Sequence, residues 1–332
     1  VASTANGGAT FGRPVLVAAY TCGDALPGNT IAADGLGDVF VFGPALFISH
    51  DDGRSFARSA IRSSVLGVTA IGRSVWLLRQ HCSPAPKQFY SNCRLRLLMS
   101  ADGGRSWYSP RRQPYSGTYR RYPVGQTTGP FSSQNWLVRT GRKSGYILVP
   151  YTHTRLGAPL WYTSTAGGSW TRRQIPCRSD ADQLSAVPRS SALFAVCSGQ
   201  PGSFPPWPAQ YKEVAVSANG GRTWRLHSPC SPNINKDAEC TLAHGWLTSI
   251  AAPSTRQLFL TAEYGSLRVS DDRGARWHYL FAPADALDDT WQVKFFGRSD
   301  GIVVGLNAAI AATIWHTSDG GTRWRQLHPV IG

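Results

Sequence analysis

Short apolar runs separated by polar, glycine-rich turns occupy most of the chain. Between residues 135 and 163 the runs are Asn135–Arg139, Gly145–Pro150 and Pro159–Thr163; the next unit gives Gln183–Val187, Ala192–Val196 and Glu213–Val216. Trp246–Ile250, Gln257–Thr261 and Ser266–Val269 follow, then Trp291–Phe295, Gly301–Val304 and Thr313–His316. Two earlier units fit the same template, with Asp38–Phe42 and Ala45–Ile48 in one, Ser74–Leu78 and Arg94–Leu98 in the other. Runs of this length bounded by turn residues predict strands. Each unit reads as three strands, a polar turn, and a fourth strand that starts at the aromatic closing the turn. No apolar stretch approaches the ~18 residues that a membrane-spanning helix needs.

The turn itself repeats. Ser100-Ala-Asp-Gly-Gly-Arg-Ser-Trp107 has a hydroxyl first, Asp third, Gly fifth and an aromatic eighth. Copies start at Ser49, Thr163, Ser217, Ser270 and Thr317, so the intervals along the chain are 51, 63, 54, 53 and 47. The copy at Thr163 has Thr165 in the acidic position. Asp or Asn at the third position can accept from backbone amides two residues on and close a turn. Gly at the fifth suits a backbone angle that other residues avoid. The aromatic supplies the apolar area that seats the turn. A period in this range means a propeller, solenoid or array, and four-stranded sheets repeated radially are propeller blades.

These octapeptides resemble the Asp-boxes of BNR-repeat β-propellers, a group that includes sialidases, Vps10-like ectodomains and the Ycf48-like assembly factors. The resemblance spans Ser49 to Trp324. Leu260–Ser270 and Gly301–Gly305 are similar to the lead-in of Ycf48-like and Vps10-like repeats. The expectation is an all-β, six-bladed β-propeller with one Asp-box turn per blade; a seventh, boxless blade would be short of residues. One domain covers 1–332, with blades ending near 60, 111, 175, 228, 281 and 329. Residues 1–28 form an extension whose run Pro14–Ala18 is either the innermost strand of blade one or an additional closure strand. Asp51, Asp102, Asn219, Asp272 and Asp319 are expected to be structural members of the turns.

Topology sorts the loops. The boxes join third to fourth strands and share a face with the first-to-second turns. The long insertions, Gln80–Ser91, Tyr108–Gln134, Ser198–Tyr211 and His227–Ala243, fall on the other face. Loops on a rigid scaffold are where binding residues concentrate.

Composition adds charge and cysteine to this picture. The formal charge is +15, with Lys only at 87, 143, 212, 236 and 294, so the base is arginine. Guanidinium offers planar bidentate contact to carboxylate, sulfate or phosphate. Cys82/Cys93 and Cys230/Cys240 are close local pairs, with Cys177/Cys197 a candidate third bridge and Cys22 left over. Disulfides imply an oxidising compartment. No C-x-x-C pair occurs and the histidines are scattered, which argues against a zinc site. The chain starts at Val1 without Met. The expectation is a secreted or cell-envelope protein whose signal segment has been removed, a monomer without metal or cofactor.

Two loops carry candidate binding chemistry. In Arg111–Tyr122, paired arginines (Arg111, Arg112, Arg120, Arg121) interleave with Tyr115, Tyr119 and Tyr122 in a segment too Pro- and Gly-broken to read as a strand. Guanidinium and aromatic surfaces together suit an acidic or extended polypeptide or an anionic glycan; no nucleic-acid-binding motif is visible, which disfavours nucleic acid. Phe204 and Trp207 sit in a stiff Pro-rich loop that could serve as a docking platform.

The sialidase resemblance implies a different chemistry. Its members use an Arg-Ile-Pro motif near the chain start, nearest here to Phe11–Leu16, with Arg13 directly before Pro14. It implies Arg13 for carboxylate binding, Asp38 (or Asp34) as acid, and Glu263 with Tyr264 as the nucleophile pair. Adjacent residues in an extended strand point to opposite faces, so Glu263 and Tyr264 would not pair without a bend. The sequence therefore favours a non-catalytic binding propeller, with a sialidase-like glycoside hydrolase as the alternative.

Overall fold

A computed structural model describes residues 1, 2, 4, 11–17, 30–83, 91–121, 136–149, 157–177, 180–199, 211–227, 242, 247–262, 265–280, 287–307 and 312–327. The fold is an all-β, six-bladed β-propeller: the described residues form six four-stranded antiparallel sheets and no helix. Blade one consists of β1 (Thr30–Ala33), β2 (Val39–Phe42), β3 (Leu46–Ser49) and β4 (Ala57–Arg58). Blade two is longer, with β5 (Val65–Ile71), β6 (Ser74–Cys82), β7 (Ser91–Ser100) and β8 (Thr118–Arg121). Blade three has β9 (Leu137–Arg139), β10 (Gly145–Leu148), β11 (Ala158–Thr163) and β12 (Thr171–Ile175). The remaining blades are β13 (Asp180–Ala186) to β16 (Arg225–His227), β17 (Leu247–Ala251) to β20 (His278–Tyr279), and β21 (Leu287–Phe295) to β24 (Arg325–Leu327). The chain divides into two compact units, one made of most of residues 1–172 and the other of most of 173–327.

Each octapeptide turn is closed by the same kind of bonds. In blade two, Ser100 Oγ donates to Asp102 Oδ1 at 2.7 Å and accepts from the Gly104 amide at 2.8 Å. Asp102 Oδ1 accepts from the Ser106 amide, and Oδ2 from the Ser106 hydroxyl at 2.6 Å. These hydroxyls and amides hold the Asp102 carboxyl well below the ordinary carboxylate range, and the equivalent donors do the same for Asp51. Asn219 replaces the carboxylate in blade four and donates from Nδ2 to the Thr223 hydroxyl. In blade three, Thr165 Oγ1 accepts from the Ser169 amide at 2.8 Å, so a hydroxyl also closes the turn.

The structure adds a position that the sequence pattern does not single out. The fourth and the fifth residue of every turn both have positive φ, including Asp52 (61°), Ala166 (50°) and Arg273 (66°) at the fourth. The reason is visible in the bonds. The fourth-residue amide donates to a carbonyl in the first-to-second-strand turn of its own blade, as Gly103 to Arg73, Ala166 to Lys143, Gly220 to Ser191 and Gly320 to Ser299. Both turn types thus share one end of each blade. In blades two and three the fifth glycine faces side chains of the preceding blade: a Cβ at Gly104 would lie 2.9 Å from the Phe40 ring, and one at Gly167 2.8 Å from Pro110. The turn therefore ties its own blade together and, in blades two and three, seats it on the previous one.

Within the first unit, Phe40, Phe42, Leu46 and Ile48 of blade one pack with Val65, Val68, Val75, Leu77 and Leu98 of blade two. Arg139 pins blade three to blade two. Its guanidinium stacks 4.5 Å over the Trp76 ring and donates to the Ser74 carbonyl at 2.7 Å, and burial pulls its pKa down to about 10. Within the second unit, Phe194, Val196, Val214, Ile250, Leu258 and Leu260 make one core cluster, and Phe259, Leu267, Val293 and Val303 another.

The structure adds two innermost strands to the sequence reading and changes one segment. The innermost strand of blade one is Thr30–Ala33, which fills one of the two roles the sequence left open for Pro14–Ala18; Arg13, Pro14 and Leu16 are exposed. A four-residue strand with one buried side chain leaves no apolar run to notice. Blade two's innermost strand, Val65–Ile71, also escapes the run pattern, since Gly67 and Thr69 interrupt its apolar residues. Most consequentially, the Arg111–Tyr122 segment does contain a strand, Thr118–Arg121, despite Pro114 and Gly117.

Candidate functional site

The outer edge of blade two positions the arginine–tyrosine segment. After Trp107 the fourth strand starts as in other blades, with Tyr108 bridged to Met99. It then breaks at Pro110, which is buried at Gly167 of blade three. The sheet edge left open at Leu97 is filled by a side chain: Gln113 Oε1 accepts from the Leu97 amide at 2.9 Å, and its Nε2 donates to the Leu97 carbonyl at 3.0 Å. The Gln113 amide thus substitutes for a strand residue, satisfying backbone groups that would otherwise be orphaned. Pairing resumes at β8, where Thr118 to Arg121 oppose Arg94 to Ser91. Thus the segment runs along the outer edge of blade two, from the octapeptide end to the far end, rather than lying wholly on the loop face.

This path fixes Arg111 and Arg112. The Arg112 carbonyl accepts from the Trp170 indole at 2.9 Å, tying the backbone to blade three. Both arginine side chains are exposed, without a hydrogen bond or ion pair among the described residues. Tyr115 is half-buried and its hydroxyl donates to the Thr118 carbonyl at 2.9 Å. Burial pushes the Tyr115 phenol up, while the nearby Arg172 guanidinium pulls it back. Arg172, exposed on β12, thereby joins the surface, a residue that sequence reasoning misses because it lies in another blade. Tyr119, Arg120 and Arg121 lie on β8 at the register positions of Cys93, Asn92 and Ser91. Tyr122, Phe204 and Trp207 lie outside the described residues.

The candidates for glycoside chemistry are dispersed. Asp38 is buried at the octapeptide end of blade one, 2.7 Å from His50 Nδ1 and 3.6 Å from Arg105 Nη1. Asp34 turns back on its own backbone, accepting from the Leu36 and Asp38 amides. Arg13 is exposed in the N-terminal segment. Glu263 and Tyr264 lie outside the described residues. Among the described residues, no cluster of His, Cys, Asp and Glu could hold a metal ion.

Disulfides join Cys82 to Cys93 and Cys177 to Cys197, bonds that belong to an oxidising compartment. Cys22, Cys230 and Cys240 lie outside the described residues. No helix is long and apolar enough to cross a membrane among the described residues.

The charge is segregated, a signal present in the sequence but hidden by its total. Residues 53–179 hold twenty Lys and Arg against one acid, Asp102, whereas residues 180–332 hold thirteen of each sign. In the second unit, cations are also taken into the interior: Lys212 donates to the Leu242 carbonyl at 2.8 Å, and Arg268 lies 5.4 Å from the Tyr279 ring centre. Burial drives both Lys212 and Arg268 below their ordinary values.

No protein-family model matches the sequence, and no curated protein matches it. Solved structures do resemble the fold. YCF48 bound to D1 peptide aligns over 91% of this chain and 82% of that chain, at 15% identity and a TM-score of 0.55. The GH74 xyloglucanase from Xanthomonas campestris aligns over 91% of this chain at 10% identity and a TM-score of 0.55. The match spans only 45% of that enzyme's chain. Likeness at these identities is likeness of fold. It places the chain among β-propellers, some of which bind and some of which catalyse.

Proposed function

We propose that this protein is a non-catalytic, extracytoplasmic binding propeller whose repeated turns are Asp-boxes. It recognises an acidic or extended polypeptide, or an anionic glycan, through the arginine–tyrosine edge of blade two and the adjoining loops. The observation that carries this reading is the state of Arg111 and Arg112. Their backbone is anchored by Gln113 and Trp170, while both guanidiniums remain exposed and unpaired among the described residues. Anchoring the backbone removes part of the ordering cost that an arriving anion would otherwise meet, so that only the side-chain rotamers remain to be fixed, and preorganisation of this kind strengthens binding. Tyr115 and Arg172 widen the surface beside it. The two disulfides support secretion or residence in the cell envelope. YCF48, a propeller that binds a peptide, is in keeping with a polypeptide ligand, although the shared fold alone does not specify function.

The position of Asp38 supports binding over glycoside hydrolysis. Bonded to His50 and set among the turns, it has a structural use, away from the loop face where the alternative reading puts the reaction.

Replacing Arg111, Arg112, Arg120 and Arg121 by Ala is expected to lower retention on a carboxylated or sulfated matrix at moderate salt. Retention equal to wild type would sink the patch. Incubation with a fluorogenic sialoside should release no fluorophore, and turnover abolished by a catalytic-site substitution would reverse the assignment.

A further inference from the structure

Blade two's sheet has two unlike faces. Register places Val75, Leu77, Arg79 and His81 of β6 opposite Ser100, Leu98, Arg96 and Arg94 of β7. Side chains alternate along a strand, so these residues share one face. Its first rungs, Val75 and Leu77 with Leu98, are buried against Phe40, Phe42 and Ile48 of blade one. The next rung, Arg79 with Arg96, is half-exposed, and the rung beyond it, His81 with Arg94, is exposed. The gradient follows strand length: the three inner strands of blade one have 4 residues each, whereas β6 has 9 and β7 has 10. The short blade covers the apolar rungs and stops before the cationic ones.

Among the described residues, none of Arg79, His81, Arg94 and Arg96 has a side-chain hydrogen bond, ion pair or ring contact. Like charges directly opposite on a sheet repel and destabilise it. Successive same-face positions along a strand are ~6.8 Å apart at ~3.4 Å per residue, so the three guanidiniums stand within reach of one small ion. The surrounding sequence offers no relief, since no acid occurs between Gly53 and Ala101.

We infer that this exposed part of blade two is a binding site for a multiply charged tetrahedral oxyanion, phosphate or sulfate, clamped between Arg79 and Arg96 with Arg94 at its open side. A single carboxylate would offset one of three positive charges. A dianion with several acceptor oxygens offsets two and accepts bidentate contacts from guanidiniums on different strands. The site uses none of the residues assigned to the arginine–tyrosine edge and stands whether or not that edge binds a ligand.

Calorimetric titration of the whole protein with sodium sulfate and with sodium phosphate, against sodium chloride at matched ionic strength, tests this. Saturable binding is expected for sulfate or phosphate and not for chloride. Arg79→Gln with Arg96→Gln should weaken it at least tenfold, while Arg222→Gln with Arg225→Gln, two exposed arginines of blade four, should change it less than twofold. Thermal melts of both double variants should show that they fold. Arg79→Lys with Arg96→Lys, which keeps the charge and loses the planar fork, should weaken binding by an intermediate factor. A sulfated oligosaccharide arm distinguishes the source. Tighter binding than sulfate alone, lost in the Gln double variant, places the anion on a glycan; binding no tighter than sulfate, also lost in that variant, points to the free ion. The inference is overturned if chloride matches sulfate, if the folded Arg79/Arg96 variant binds as wild type does, or if polyglutamate alone binds there.

Discussion

The octapeptide turns and the exposed face of blade two are both polar, and they treat polar groups in opposite ways. In a turn, each group has a use within the turn: Ser100 serves Asp102 and Gly104, and Asp102 serves Ser106. On blade two, Arg79, Arg94 and Arg96 stand on one face with no partner among the described residues. A satisfied polar network fixes a structure. An unsatisfied, like-charged one adds nothing to stability, and a bound anion would supply the partner it lacks. The turns are scaffold by this criterion, although they are the loudest signal in the sequence, and the quiet sheet face is where we propose the anion binds.

That contrast can be broken by substitution. The largest effect should come from the turns. Gly104→Ala puts a Cβ at φ +87°, 2.9 Å from the Phe40 ring. Backbone strain and overpacking together should cost about 3 kcal/mol, read as a lower urea midpoint. Little loss would mean that the turn is not seated on blade one as described.

A smaller effect should appear in acid. Asp51 and Asp102 are held below the ordinary carboxylate range by their hydroxyl and amide donors. Below about pH 4 an unfolded Asp takes up a proton that the folded turn refuses, so the unfolded state gains and stability falls with pH. The contribution is fully present above pH ~5. Asp102→Asn, which gives blade two the amide that blade four already carries at Asn219, should keep the turn and flatten part of this acid slope. An unchanged slope between pH 5 and 2 would show that the carboxylate is not held as described.

The smallest effect should have the opposite sign. Arg96→Gln relieves cross-strand repulsion with Arg79 and should raise stability by a few tenths of a kcal/mol at low salt, a gain that disappears as salt screens the pair. A loss of stability would mean that Arg96 has a structural partner after all.

Sequence and structure divide in a consistent way across the blades. The turns are legible because the bonds that close them lie within eight residues, so the required residue types recur in fixed order. The long apolar strands are legible for the same local reason. Thr30–Ala33 is not, because a short strand buries too little to leave a pattern. Thr118–Arg121 is hidden by Pro114 and Gly117, and by the fact that Gln113, a side chain, bridges the gap in the strand. Arg111 and Arg112 can be nominated from sequence, but their anchoring by Trp170 and the company of Arg172 depend on blade three.

By itself, the sequence determined the repeat, the number of blades, the class of fold and the excess of arginine, because each is written in local pattern or in composition. The tertiary structure decided which arginines are neighbours and which are alone. Arg79 and Arg96 are seventeen residues apart and meet through strand register, and beside the short strands of blade one they remain half-exposed. Register and coverage are relations between strands, and no stretch of chain carries them alone.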